Sequence, residues 1–130
     1  MSSRPIVIRA DAPLAEAARL LDEHQITGLP VVDPEGLLVG VLSQTDLVRA
    51  RSTEHLWTSW PGLAVRHLMT TPAFTTRRSA SLADVARQME RYHVHRLVVV
   101  SDEDPRVVVG VISTGDLVHG MAFEASHEPR

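Results

Sequence analysis

The chain is a tandem repeat, and that constrains its fold more than any other feature of the sequence. With an offset of 68, residues 12–32 and 80–100 agree at eight of 21 positions, among them Leu14/Leu82, Ala18/Ala86, Arg19/Arg87, Leu29/Leu97, Val31/Val99 and Val32/Val100. After a two-residue insertion, residues 38–48 match 108–118 at seven of 11. There Val39, Gly40, Val41, Ser43, Asp46, Leu47 and Val48 recur as Val109, Gly110, Val111, Ser113, Asp116, Leu117 and Val118. A unit of this length buries little by itself, so two copies are expected to share one core.

Each copy reads as the same string of elements. A short extended piece comes first, at Ile6-Val7-Ile8 and again at Phe74-Thr75-Thr76. A helix is expected next, because Leu14, Ala17, Ala18 and Leu21, like Leu82, Val85, Ala86 and Met89, recur at i, i+3, i+4, i+7. Pro13 suits the start of the first helix, and Ser81-Leu82-Ala83-Asp84 has the form of a capping box for the second. Two apolar runs follow in each copy: Leu29–Val32 and Leu37–Leu42, then Leu97–Val100 and Val107–Ile112. Their turns contain Asp33-Pro34-Glu35-Gly36 and Ser101-Asp102-Glu103-Asp104-Pro105. Such β-branched runs suit strands covered on both faces. A further helix is expected near Asp46 and Asp116. The fold class is therefore α/β (α+β), with each repeat running β-α-β-β-α. Residues 1–50 are read as the first repeat, 51–69 as a linker helix region and 70–130 as the second repeat. Trp57 and Trp60 in the linker region are read as cover for a junction or a dimer contact rather than as a binding surface.

Composition removes several classes of function. Of the 130 residues, 44% are hydrophobic and 22% charged, a balance unlike that of a disordered chain. No apolar run reaches the roughly 18 residues of a membrane span and no secretory signal opens the chain, so a cytoplasmic location without membrane association is expected. The net charge of -3 argues against a nucleic-acid partner, whose phosphates attract basic proteins. All 13 basic residues are arginine, which excludes a lysine Schiff base and a P-loop. The absence of cysteine excludes disulfides, thiolate catalysis and cysteine zinc sites. His93-x-His95 lacks the partners of a zinc site, so no metal and no cofactor are expected. No nucleophile elbow, His-Glu-x-x-His or dinucleotide fingerprint is present, so no catalytic residue is assigned and the chain is not expected to be an enzyme.

The repeated Ser-x-x-Asp carries two readings. A hydroxyl residue at the start of a helix donates to phosphate, where free N–H groups and the helix dipole also favour an anion. A carboxylate three residues on accepts hydrogen bonds from a ribose. The same four residues form a capping box that needs no ligand. Taken alone, they do not choose between the two.

Gly40-Val41-Leu42-Ser43-Gln44-Thr45-Asp46-Leu47 and Gly110-Val111-Ile112-Ser113-Thr114-Gly115-Asp116-Leu117 resemble the Gly-h-h-Ser-x-x-Asp signature of CBS domains, where h is hydrophobic. Gly28–Asp33 and His95–Val100 look like that family's second strand, and Val65–Pro72 like its lead-in, with His67 where an acidic residue is common. The resemblance covers nearly the whole chain, twice and in order. It implies a CBS pair, or Bateman module, standing alone and packed as a pseudo-two-fold pair, with adenosine-containing ligands held between the repeats. The main site it implies joins Ser43, Thr45 and Asp46 to Thr70, Thr71, Ala73 and the stretch Val94-His95-Arg96. Residues 94–100 also resemble a strand of the gamma subunit of AMP-activated protein kinase. By that likeness His95 and Arg96 face phosphate, Asp46 holds the ribose and Thr70–Ala73 meet the adenine edge.

A second, weaker site joins Ser113, Thr114 and Asp116 to Pro5, Ile6, Ile26, Thr27 and Gly28. It has Gly115 in place of a hydroxyl residue and no arginine beside Thr27, while His119 could add charge when protonated. Arg49 is a further candidate for the first site, although an exposed helix arginine reads the same way. The family further implies a homodimer and an unidentified protein effector in trans. The expected ligand is AMP, ADP or ATP. S-adenosylmethionine and a ligand-free dimerisation scaffold are the alternatives.

Overall fold

The computed structural model describes residues 5–127, in two compact units, one of Ile6–Ala73 and one of residues 74–127 together with Pro5. Each unit holds a three-stranded sheet with helices. In the first, β1 (Ile8–Arg9) runs parallel to β2 (Gly28–Val32), which is antiparallel to β3 (Leu38–Ser43). The helix α1 (Leu14–His24) joins β1 to β2, and α2 (Gln44–Ser52) leaves the end of β3. In the second, β4 (Thr75–Arg77), β5 (Arg96–Val100) and β6 (Val108–Ser113) repeat the order, with α4 (Leu82–Tyr92) and α5 (Thr114–His127) in matching places. A short helix α3 (Glu54–Thr58) and two 3-10 turns, Trp60–Gly62 and Val65–His67, complete the first unit. The mixed α/β class and the β-α-β-β-α order are as the repeat implied.

Local chemistry accounts for the boundaries. Pro13 is the residue before α1 rather than its first residue, in extended backbone (φ -69°, ψ 148°). At α4 the capping box is complete: Asp84 N–H donates to Ser81 Oγ (3.1 Å) and Ser81 N–H to Asp84 Oδ2 (3.3 Å). Both first helices end on a left-handed residue, Gln25 (φ 52°) and His93 (φ 55°), so His93 serves as a helix terminator. The turn after β2 is wound around Asp33, whose Oδ1 accepts from Glu35 N–H and Leu37 N–H, both at 2.9 Å. Gly36 supplies the positive φ (85°) it needs.

The strands are not equally covered. All five residues of β2 are buried, as are the last four of β5, whereas β3 and β6 are only partly covered. Each unit has a buried cluster of its own, which the short repeat does not foretell. Ile8, Leu14, Ala17, Leu21, Leu29, Val31, Leu42 and Val65 form one; Val85, Met89, Leu97 and Leu117 form the other. Val65 comes from the stretch between the repeats. It is fully buried, while Trp60, Leu63, Leu68 and Met69 pack around the same cluster. Trp57 and Trp60 lie 5.3 Å apart between ring centroids, with the Arg51 guanidinium over Trp57 at 4.4 Å. Among the described residues no helix is long and apolar enough to cross a membrane.

Candidate functional site

Strand β3 ends on Ser43, which caps α2, and the helix start organises everything nearby. Asp46 Oδ2 accepts from Ser43 N–H (2.8 Å) and from Ser43 Oγ (3.0 Å), while Asp46 N–H donates to Ser43 Oγ (3.3 Å). The capping reading of Ser-x-x-Asp is therefore realised in full. It uses one carboxylate oxygen. The other, Oδ1, faces Arg49 Nη1 at 3.8 Å, a long ion pair with an exposed arginine. Asp46 itself is 8% exposed. A buried carboxylate with one oxygen fixed by a cap has its second oxygen oriented for another donor.

The loop beside this helix start is held by an unusually close approach. Thr70 N–H donates to Val41 C=O (2.8 Å) and Val41 N–H to Thr70 C=O (3.0 Å). A β-carbon on Gly40 would lie 2.8 Å from the Thr70 carbonyl oxygen and 3.0 Å from Thr71 Cγ2, so only glycine admits the loop. Further back, Ala64 N–H donates to His67 Nδ1 (2.8 Å), which puts a ring nitrogen in the acceptor role that a carboxylate plays at the other caps. At the opposite side of the helix start, Gln44 N–H donates to Thr27 C=O (2.9 Å), and Gly28 pairs with Ser43 across β2 and β3. The first unit thus carries Ser43, Thr45, Asp46, Thr70, Thr71 and Ala73 of the expected main site. It also carries Ile6, Ile26, Thr27 and Gly28 of the expected second site.

The second unit carries the remaining residues in the matching geometry. Thr114 N–H donates to His95 C=O (2.9 Å), and Arg96 pairs with Ser113 across β5 and β6. Ser113 N–H donates to Asp116 Oδ2 (2.9 Å) and Asp116 N–H to Ser113 Oγ (3.1 Å). Asp116 is exposed, unlike Asp46, and so are Thr114 and His95. Arg96 and Val94 are partly buried. Pro5 is grouped with this unit. Among the described residues no cluster of three or more His, Cys, Asp or Glu is placed to hold a metal ion.

Sequence reasoning missed two contributors. Gly40 belongs to the repeated motif, and the motif alone does not show that the Thr70 loop touches down on it; a glycine inside a strand is the available signal. The resemblance of Val65–Pro72 to the family's lead-in marks this stretch, but it shows neither that Val65 is buried nor that His67 Nδ1 accepts from Ala64 N–H.

Known proteins resemble the chain over nearly its whole length. The family model described as CBS domain matches residues 1–53 and 65–122. L-aspartate semialdehyde sulfurtransferase of Methanocaldococcus jannaschii is 29% identical over 117 residues; these make up 90% of this chain but only 21% of that enzyme. Among solved structures, the CBS domain pair of protein MJ0100 in complex with 5'-methylthioadenosine and S-adenosyl-L-methionine has a TM-score of 0.81 and 27% identity. That match covers 95% of this chain and 93% of the other. CBSX2 of Arabidopsis thaliana in complex with AMP has a TM-score of 0.78 and 31% identity, covering 95% and 90% of the two chains.

Proposed function

The chain belongs to the CBS domain family, and on that premise we propose that it is a regulatory module that binds an adenosine nucleotide and signals to a partner protein. One observation carries the reading: Asp46 is buried and capped through Oδ2, which leaves Oδ1 oriented beside a helix start. In this role Asp46 Oδ1 accepts from the ribose hydroxyls. Ser43, Thr45 and the Thr45 N–H, which neither the cap nor Thr27 uses, meet phosphate at the helix start. The Thr70–Ala73 backbone, pinned against Gly40, reads the adenine edge. Val94, His95 and Arg96 complete this main site, the guanidinium taking phosphate oxygens as a planar fork. The second site, with Pro5, Ile6, Ile26, Thr27, Gly28, Ser113, Thr114 and Asp116, is the weaker one because Asp116 is exposed and Gly115 replaces Thr45.

Similar CBS pairs are solved with AMP and with S-adenosyl-L-methionine. A cationic Arg96 favours the phosphate-bearing ligand over the sulfonium. Ligand shifts the population of conformations, and a homodimer in the cytoplasm presents that shift to its effector. Binding rather than catalysis is the proposed role. One observation favours a ligand-free scaffold instead: both Ser-x-x-Asp caps are complete without any ligand.

Calorimetry with AMP, ADP, ATP and S-adenosylmethionine separates these readings. Asp46→Asn is the informative variant, because an amide oxygen preserves the cap while the amide nitrogen turns a donor toward the ribose. We expect it to fold as the parent does and to lose AMP. Binding by the parent at a hundredfold excess over Kd raises stability by about 2.7 kcal/mol. Absence of binding by all four ligands supports the scaffold.

A further inference from the structure

On the first unit the chain fills a groove with a piece of itself. Val65 N–H donates to Ala12 C=O and Arg66 N–H to Ala10 C=O, both at 2.9 Å, and Leu14 N–H reaches Leu63 C=O at 3.4 Å. Leu63 and Ala64 are extended and Val65–His67 form a 3-10 turn. The Val65 side chain enters the buried cluster with Ile8, against which Ala12 and Leu20 pack.

The second unit builds the same backbone without that cover. Arg78 N–H donates to Val100 C=O as Ala10 N–H does to Val32 C=O, each at 3.0 Å. Ala80 N–H donates to Arg77 C=O (3.0 Å) as Ala12 N–H does to Arg9 C=O (3.1 Å). Yet among the described residues nothing hydrogen-bonds to the carbonyls of Arg78 and Ala80 or to the N–H of Leu82. A cleft of about 510 Å³ lies beside them, lined among others by Thr76, Ala80, Asp84, Gln88 and Val100. That size is within the range of binding pockets.

The lining has also changed character. Thr76 stands where the first repeat has Ile8, and Gln88 where it has Leu20. Thr76 is 4% exposed, and neither its Oγ1 nor Gln88 Oε1 has a hydrogen-bond partner. Buried polar atoms without partners are rare and signal a missing group.

We propose that this cleft docks a short peptide segment of a partner protein, in the extended-then-turn form of Leu63–Arg66. Its backbone N–H groups take the carbonyls of Ala80 and Arg78, and its carbonyl takes Leu82 N–H, a form of strand-like peptide capture. In place of Val65 it carries a carboxamide side chain, which supplies the donor that Gln88 Oε1 lacks and an acceptor for the Thr76 hydroxyl. The occupant is a peptide because the first unit shows what the groove holds; it is polar because Thr76 and Gln88 have replaced aliphatic residues. The proposal does not depend on the adenosyl site, which uses other residues.

The test is titration of the isotope-labelled full chain with a synthetic peptide of residues 62–68 carrying Val65→Asn, alongside the unchanged peptide. We expect amide shifts at Thr76, Ala80 and Leu82 and at the Gln88 side chain, with the Asn peptide binding about tenfold more tightly. Gln88→Leu, which restores the residue of the first repeat on a half-buried helix face, reverses the preference. Comparison of the two peptides on the parent chain stands even if that variant folds poorly. The proposal is overturned if millimolar peptide leaves these amides unmoved, if the shifts fall elsewhere, or if the unchanged peptide binds as tightly.

Discussion

Removing the carboxylates of the two repeated caps should have unequal effects on the ligand-free protein. In Asp46→Ala, Ser43 N–H and Oγ both lose Asp46 Oδ2, at 2.8 and 3.0 Å, in a place where the aspartate is 8% exposed. Loss of a cap costs about 0.5–2 kcal/mol, and a buried donor left without an acceptor about 1–3 kcal/mol. These overlap rather than add, which puts Asp46→Ala near 2–3 kcal/mol. In Asp116→Ala the Ser113 N–H loses a 2.9 Å partner, but the aspartate is exposed and water replaces it, for about 0.5–1 kcal/mol. For a chain between the usual small and large size classes, each kcal/mol moves Tm by roughly 3–5 °C. Thermal melts at one fixed protein concentration, without nucleotide, should then show losses of about 6–15 °C and about 2–5 °C respectively. Equal losses, or a larger loss from Asp116→Ala, would refute the link between burial and the worth of the cap. They would also remove the main reason for assigning the principal ligand site to Asp46.

Three further outcomes are expected. Val65→Ala removes two methyl groups from a fully buried position. It should cost about 2–3 kcal/mol in urea unfolding, while Val48→Ala at an exposed position should change little. Gly40→Ala sets a β-carbon against the Thr70 carbonyl, and should both lower Tm and weaken nucleotide binding by shifting Thr70–Ala73. The Asp102 carboxyl is held below its ordinary pKa by the Ser79 hydroxyl, and next by the Ser79 N–H. A depressed folded value means that the bond stabilises above the unfolded pKa and is lost as pH falls through the folded one. The stability difference between the parent and Asp102→Asn should therefore shrink on acidification from neutral to about pH 3.

What the sequence disclosed depended on where its information was local. Helix faces were legible because Leu14, Ala17 and Leu21, and Val85 and Met89, fall at helical spacing and are the residues buried. Strands β2 and β5 were legible because uninterrupted β-branched runs are what two covered faces require. The contrast between Asp46 and Asp116 was not legible, since the two sit in the same motif and differ only in what surrounds them. Nor were the left-handed caps at Gln25 and His93, where neither residue advertises a positive φ as glycine does. The 51–69 stretch hid the most. It has no counterpart to align with, and Val65 betrays nothing of its burial through periodicity.

That stretch makes two otherwise parallel halves unequal in how they can be handled. A fragment cut where the first repeat ends in sequence, near residue 50, would take Val65 out of the buried cluster and leave the carbonyls of Ala10 and Ala12 bare. Extended to Ala73, the same fragment carries its own plug. Expression boundaries, isotope labelling of single halves and grafting of the first repeat into other proteins are all governed by this plug, not by the repeat boundary.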